Sequence, residues 1–388
     1  MTGVTQKIPT KANASSNLSV RFMISFSITN SRIGYCYVMT DAEKVFACKY
    51  EGRLALATRL VRARVSKGTL VCSSWVTEVD FRPRYNGPIF DAHSHVVDEE
   101  HIDLLVRIGE DYGVEKSLLI VHGDVGIESY EERYPDRFIF AKYFSGWMLF
   151  GEGLDEAVPE IHSMREEGYQ VAKVHFAPFW SDRLSEVKNI PPLDSKEFNP
   201  FFEALADEEI PVLIHVSDPD TYYESRYDNE AVYGTKDEHL MELERRLERT
   251  PDVTFQVAHF GAQPEVHRLE NLARLFDNYP NLNVDTGSAR WMVRELGRDP
   301  ETARRFVTRY SERILFGSDC VARSNDISYY EGRYKSERML WESDVRDVPL
   351  PFVDADTVDS GGTFINGLNL DDEVLEKLYW KNALRIHM

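Results

Sequence analysis

From residue 88 onward, short β-branched or aromatic runs alternate with longer segments whose apolar residues recur at helical spacing. That alternation predicts repeated βα units around a parallel sheet. Eight strands are expected: IFDAHSH (89–95), KSLLIVHG (116–123), RFIFAKYF (137–144), YQVAKVHF (169–176), PVLIHVS (211–217), TFQVAHFG (254–261), LNVDTG (282–287) and ILFGSD (314–319). Helices are expected over 155–167, 196–209, 237–249, 265–278 and 300–312, with Gly168, Pro251 and Pro280 as stop signals. A closing helix, LDDEVLEKLYWKNALRI, follows a long insertion at 321–370. Eight such units predict an α/β fold, a (β/α)8 TIM barrel spanning residues 86–388. The rival, an open doubly wound sheet, usually carries a glycine-rich phosphate loop after its first strand. The segment AHSHVVDE offers no glycine.

Charge divides the chain in the same place. Residues 1–85 carry about +8 and the remainder about −28, within a total of −20. An acidic body of this size argues against binding a phosphate backbone, which relies on clustered cations. The expectation is therefore no nucleic acid. No apolar run is long enough to span a bilayer, and the first twenty residues lack the apolar core of a secretory signal. Four cysteines without paired spacing suggest neither a disulfide framework nor a thiolate zinc site. A reducing, cytoplasmic setting follows from that pattern. The first 40 residues contain no Asp or Glu, which fits either an organelle transit peptide or an ill-ordered extension. Strand-like pieces such as VRFMISFSI and GTLVCSSWV leave a small β appendage open for residues 1–85.

The chemistry gathers at predicted strand ends. Residues i and i+2 of a strand point to one side, so His93 and His95 project together from the end of the first strand. In a barrel that end is the mouth, where active sites are built. Two neutral imidazoles on one side form a bidentate seat for a divalent metal. His122, His175, His215, His259, Asp285 and Asp319 take comparable places in other units. A set of three histidines and an aspartate suits Zn2+, with Mn2+, Fe2+ or Co2+ as alternatives. Asp319 beside a metal can both ligate it and take a proton from water. His259 is suited to polarising a carbonyl or shuttling a proton. Lys173 and His175 share a face of the fourth strand, and a lysine inside a barrel is costly unless it is paired, hydrogen-bonded or modified. These two, with Arg290, are candidate substrate-binding residues. His122 and Asp285 read more readily as structural.

The motifs FDAHSH, AKVHF, PVLIHVSDP, FQVAHFG, NLNVDTGSAR, RILFGSD and LEKLYWKNALRI, in that order, resemble the amidohydrolase superfamily. The likeness is to its amidohydrolase-related branch, which includes aminocarboxymuconate-semialdehyde decarboxylase and predicted metal-dependent barrel hydrolases. It implies a strand-one metal pair at His93 and His95, a third imidazole ligand at His215, and a ligand and general base at Asp319. It further implies an assisting histidine at His259 and a single metal. Lys173 lies on the strand that holds a carbamylated lysine in two-metal relatives, and is not assigned as a ligand. Residues 1–85 fall outside the resemblance.

The resulting expectation is a metal-dependent hydrolase acting on a carbonyl-type bond, such as a lactone or amide, of a small organic substrate. The alternative is a non-oxidative decarboxylase of an aromatic or enolic acid. A homodimer is a further expectation from the barrel class.

Overall fold

The computed structural model describes the strands between Arg21 and Cys72 and, from Phe81 to Met388, every residue except 124–125, 153 and 185–189. The chain divides into two units, residues 1–78 and 79–388. In the first, Arg21–Ile28, Arg32–Met39, Phe46–Tyr50 and Arg53–Ala57 form an antiparallel sheet in sequence order. Ala63–Ser66 and Thr69–Cys72 make a separate hairpin. The transit-peptide reading concerns the first 40 residues, of which 1–20, 29–31 and 40 lie outside the described residues.

The second unit is a curled parallel sheet wrapped by helices. Its strands are β1 (Ile89–Val96), β2 (Val114–Val121), β3 (Phe138–Phe144), β4 (Val171–His175) and β5 (Val212–His215). They continue as β6 (Phe255–Val257), β7 (Leu282–Asp285), β8 (Ile314–Leu315) and β9 (Cys320–Ala322). The order is β8-β7-β6-β5-β4-β3-β2-β1-β9. Both ends of that order belong to one segment, ILFGSDCVA, because β8 pairs with β7 while β9 pairs with β1. The expected eighth strand is thus broken at residues 316–319. Two backbone bonds hold the gap: Ala92 N–H donates to Phe316 O at 2.8 Å and Asp319 N–H to His93 O at 2.7 Å. The sheet closes on itself along this seam, as a TIM-type barrel does.

The principal helices are α1 (Ile102–Asp111), α2 (Leu154–Ser163), α3 (Asn199–Asp207), α4 (Lys236–Arg249), α5 (Leu269–Asn278), α6 (Ala289–Leu296), α7 (Pro300–Arg309) and α8 (Ile327–Glu342). Their boundaries follow local chemistry. Thr235 and Glu238 make a reciprocal capping box at the start of α4, and Asp299 caps α7 just ahead of Pro300. The insertion at 321–370 is not an irregular loop, since it contains α8 and a small antiparallel pair, Val348–Pro349 with Phe364–Ile365. Helical period is hard to read there because α8 is buried on several sides. Tyr330, Tyr334, Met339, Leu340 and Trp341 are all buried, and so are Glu337, Arg338 and Glu342. It packs between α1 and α6 in the eighth helical place of the ring.

Inside the barrel, Phe90, Ala92, Leu118, Ile120, Ala141, Val171, Leu213 and Leu315 form an apolar plug. Ala383 and Trp380 of the segment 372–387 join it and cover the floor. Asn382 fastens that segment by donating to Ser311 O and Ile314 O, each at 2.7 Å.

Candidate metal centre

One extra residue in β1 decides where its histidines point. Asp91 pairs with Ser117 of β2 and Ser94 with Leu119, so three steps along β1 oppose two along β2. Such a bulge shifts the alternation of side chains. Phe90 and Ala92 belong to the interior plug below it. His93 and His95 then enter the interior above it, side by side, with their Nε2 atoms 3.1 Å apart.

Asp319 arrives from the broken eighth strand. It sits at φ 52°, a left-handed conformation that costs about 1–2 kcal/mol for an ordinary residue. Its N–H bond to His93 O holds it there. Ser318 is held as well, its N–H donating to Asp91 Oδ1 at 2.8 Å, while Tyr334 of α8 donates to Asp91 Oδ2 at 2.9 Å. Gly317 is required at this turn, because a Cβ would lie 2.7 Å from His93 Cβ. The outcome is Asp319 Oδ1 at 3.3 Å from His95 Nε2 and 3.8 Å from His93 Nε2. The three donor atoms lie within 4.8 Å of one another.

Beneath them, Asp285 is fully buried and accepts four hydrogen bonds. They come from His93 Nδ1 (3.0 Å), Gln256 Nε2 (2.7 Å), His259 N (3.0 Å) and Gly287 N (2.9 Å). Burial alone would raise its pKa, but His93, His259 and Gln256 outweigh that and hold it well below the usual carboxylate range. Asp285 engages His93 at Nδ1, which leaves Nε2 facing Asp319 and His95. His95 is kept neutral by burial, its pKa pushed down to about 3 despite Asp319. Its Nδ1 meets His122 Nε2 at 2.8 Å. These are the features of a metal seat: two convergent imidazoles, of which burial keeps His95 neutral, a carboxylate that interactions with His95 and His93 hold ionised well below its usual range against burial, and a second carboxylate orienting one ring.

His259 sits at φ 56° just beyond β6. Its ring stacks on His93 at 5.3 Å and meets Trp291 edge-on at 5.0 Å. Burial depresses its pKa to about 3, and its Nδ1 is buried without a hydrogen-bond partner among the described residues. His215 is placed one ring further away, with Nδ1 3.0 Å from His259 Nε2 and Nε2 3.3 Å from Asp218 Oδ1. The structure does not gather His215 into the His93–His95–Asp319 group.

The candidate substrate residues separate. Lys173 is buried in the barrel, where desolvation brings its pKa down to about 8 against the pull of Asp285 and Asp319. His175 stacks on His215 at 4.1 Å, and its Nδ1 accepts from Ala177 N (3.4 Å) and Trp180 Nε1 (3.3 Å), so it braces the loop after β4. Arg290, at the start of α6, donates to Tyr222 OH at 2.8 Å. It also lines a cavity of about 270 Å³.

Sequence reasoning underrated His122 and Asp285 and missed Gln256 and Arg333. Gln256 stands alone as a polar residue within the apolar strand FQV, which was its signal. Arg333 lies on α8, with Nη1 3.9 Å from Asp319 Oδ2, and would have been found by assigning the eighth helix.

Solved structures that match the chain include an uncharacterised TIM-barrel protein from Bordetella bronchiseptica, at 13% identity and TM-score 0.48, covering 77% of this chain and 98% of that one. A 5-carboxyvanillate decarboxylase from Sphingomonas paucimobilis matches at 13% identity and TM-score 0.47, with the same coverages of 77% and 98%. A probable 2-pyrone-4,6-dicarboxylic acid hydrolase from Acinetobacter baumannii matches at 11% identity and TM-score 0.46, again covering 77% and 98%. Likenesses this remote do not speak for chemistry. No curated protein matches the chain. Residues 160–387, more than half of the chain, match the amidohydrolase family model. The chain therefore belongs to the amidohydrolase family, and its donor set is that of a metal-dependent member.

Proposed function

We propose that the protein is a hydrolase of a carbonyl-type bond, a lactone, amide or relative, in a small organic substrate. The observation that carries this reading is the convergence of His93, His95 and Asp319 at the mouth, with Asp319 a quarter exposed toward an open face. These residues would hold one divalent metal, with Zn2+ best suited to the mixed nitrogen and oxygen donors. His215 is the reserve nitrogen ligand. When bound, such a metal supplies Lewis-acid polarisation and lowers the pKa of water.

The chain's own groups do the remaining work. Asp319 accepts a proton from the attacking water. His259, neutral and stacked beside His93, lies where a hydrogen bond to the substrate oxygen would steady developing negative charge, an effect commonly worth several kcal/mol. Asp285 and Gln256 keep His93 in register, and Trp291 closes one side against water.

A second reading, non-oxidative decarboxylation of an aromatic or enolic acid, is favoured by the cations near the site: Lys173 in the barrel and Arg290 and Arg333 at the mouth. Two measurements decide between them. Solvent oxygen-18 incorporated into product supports hydrolysis, whereas carbon dioxide release without consumption of water supports the lyase. Elemental analysis tests the shared premise, because purified protein holding no stoichiometric divalent metal would sink both.

A further inference from the structure

A lysine inside a barrel is costly unless it is paired, hydrogen-bonded or modified. Two lysines are buried among the described residues, and they meet that cost differently. Lys236, at the start of α4, is gripped by Asp220 Oδ1 and by both oxygens of Glu265, each at 2.9 Å. Lys173 makes no hydrogen bond and no ion pair among the described residues. Asp285 and Asp319 act on it as charges from beyond ion-pair reach, and burial outweighs them, bringing its pKa down to about 8.

The alternation of β4 shows where this side chain goes. Val171 belongs to the interior plug, whereas Ala172 and Val174 pack in the larger core with the helices. The interior face of the strand is therefore Val171, Lys173 and His175, from floor to mouth. In register, Lys173 stands between Tyr143 of β3 and Leu213 of β5, and Leu213 is part of the plug. The lysine stem thus leaves an apolar floor. Its amine ends among the mouth groups, within electrostatic reach of Asp319, Asp285, His122 and His175. Nζ is not sealed there. It is not one of the enclosed polar atoms that lack a partner, so the 2% of surface that Lys173 keeps includes its amine.

We infer that Lys173 is a covalent binding site for the carbonyl carbon of a small aldehyde or ketone, which it holds as an imine. The neutral amine attacks that carbon, forming a C–N bond as the π pair of the carbonyl moves to oxygen, and a proton passes from nitrogen to that oxygen through solvent. The hydroxyl then departs with the second amine hydrogen as water, leaving the C=N bond. No oxidant, reductant or further reactant is consumed. Desolvation favours this chemistry because only the uncharged amine is a nucleophile. At pH 8 a pKa of about 8 leaves about half of the amine neutral, against under about 1% for an ordinary lysine. The site goes beyond the proposed hydrolysis, since it requires neither a metal nor a carboxylate on the ligand.

The test treats the metal-loaded full chain with propanal or benzaldehyde and cyanoborohydride, which reduces an imine to a stable propyl- or benzylamine. Peptide mass mapping should place one equivalent on Lys173, at least tenfold faster at pH 8 than on any other lysine. The Lys173 rate should rise with pH and level off above about pH 8 as the amine loses its proton, while exposed lysines keep gaining toward about pH 10.4. Lys173→Arg keeps the cation but has no amine that can condense, and it should lose the rapid label. Circular dichroism checks that the variant is folded, and the ranking of lysines in the wild type stands without it. Because neither probe carries an anion, a cation that merely holds acids gives no adduct. Lys173 labelled no faster than exposed lysines, or a rapid adduct persisting in Lys173→Arg, would overturn the site. A Lys173 rate still climbing steeply above about pH 9.5 would overturn it as well, since the amine would then be an ordinary one.

Discussion

Two groups of imidazoles stand at the mouth of this barrel, alike in sequence and unlike in surroundings. On β1, His93 and His95 face each other across 3.1 Å with Asp319 beside them. On β4 and β5, His175 and His215 stack face to face at 4.1 Å, and His175 holds up a loop. Both pairs end apolar strands. The difference is supplied by neighbours: a bulge that turns β1, a left-handed aspartate from a broken strand, and Asp285 beneath. His93 is set apart by a carboxylate that orients its ring from below and by two donors that converge on its other nitrogen; His215 has Asp218 and His259 beside it but lies outside that group, and His175 packs as a ring.

That contrast can be broken most severely at the convergent group. Asp319→Asn or His93→Ala should abolish turnover, by a factor of at least about 10³, and strip stoichiometric metal while unfolding stays cooperative. Wild-type rates in either would refute the assignment; elemental analysis beside a rate assay reads both. Asp285→Asn comes next. Losing the charged acceptor at His93 Nδ1 should weaken metal affinity by about 10–100-fold, measured by chelator competition. Smaller still is an acid effect. Burial pushes the pKa of His387 down to about 3, away from the donor group, where its Nε2 meets Gln256 Oε1 at 2.8 Å. Between about pH 3 and 6.5 the folded protein then binds fewer protons than the unfolded chain, so stability rises with pH and is lost on acidification. His387→Gln should flatten the acid limb of a urea-unfolding series by up to about 1.4 kcal/mol per pH unit. The smallest change is expected on the stacked side. His175→Asn should leave metal content intact and alter turnover by no more than about threefold; a loss as large as that of His93→Ala would erase the distinction between the groups.

Much of this was legible in the sequence because strands and helices of a barrel repeat a simple pattern. All eight strand segments lie where alternation and β-branched runs place them, and α4 begins within a residue of its expected start. The i, i+2 rule correctly puts His93 and His95 on one side. Three features escaped for physical reasons. The break at 316–319 depends on Gly317 passing close to His93, a tertiary contact with no local signature. Helix α8 lost its period because polar residues such as Glu337 and Arg338 are buried with partners, Trp341 Nε1 donating to Glu337 at 2.6 Å. Asp285 read as structural because its value comes from four donors that only the folded barrel assembles.

The seam between the first and last strands has a consequence for assembly. Asp91 and Ser318, which pin its two sides, are 227 positions apart, and the donors of the centre straddle the same join. Nothing short of barrel closure can create the site, so a partly folded chain open along that line has no affinity to offer. An ion captured there would act as a clasp: its binding free energy would be spent on a long-range contact of the domain, opposing loss of that closure first.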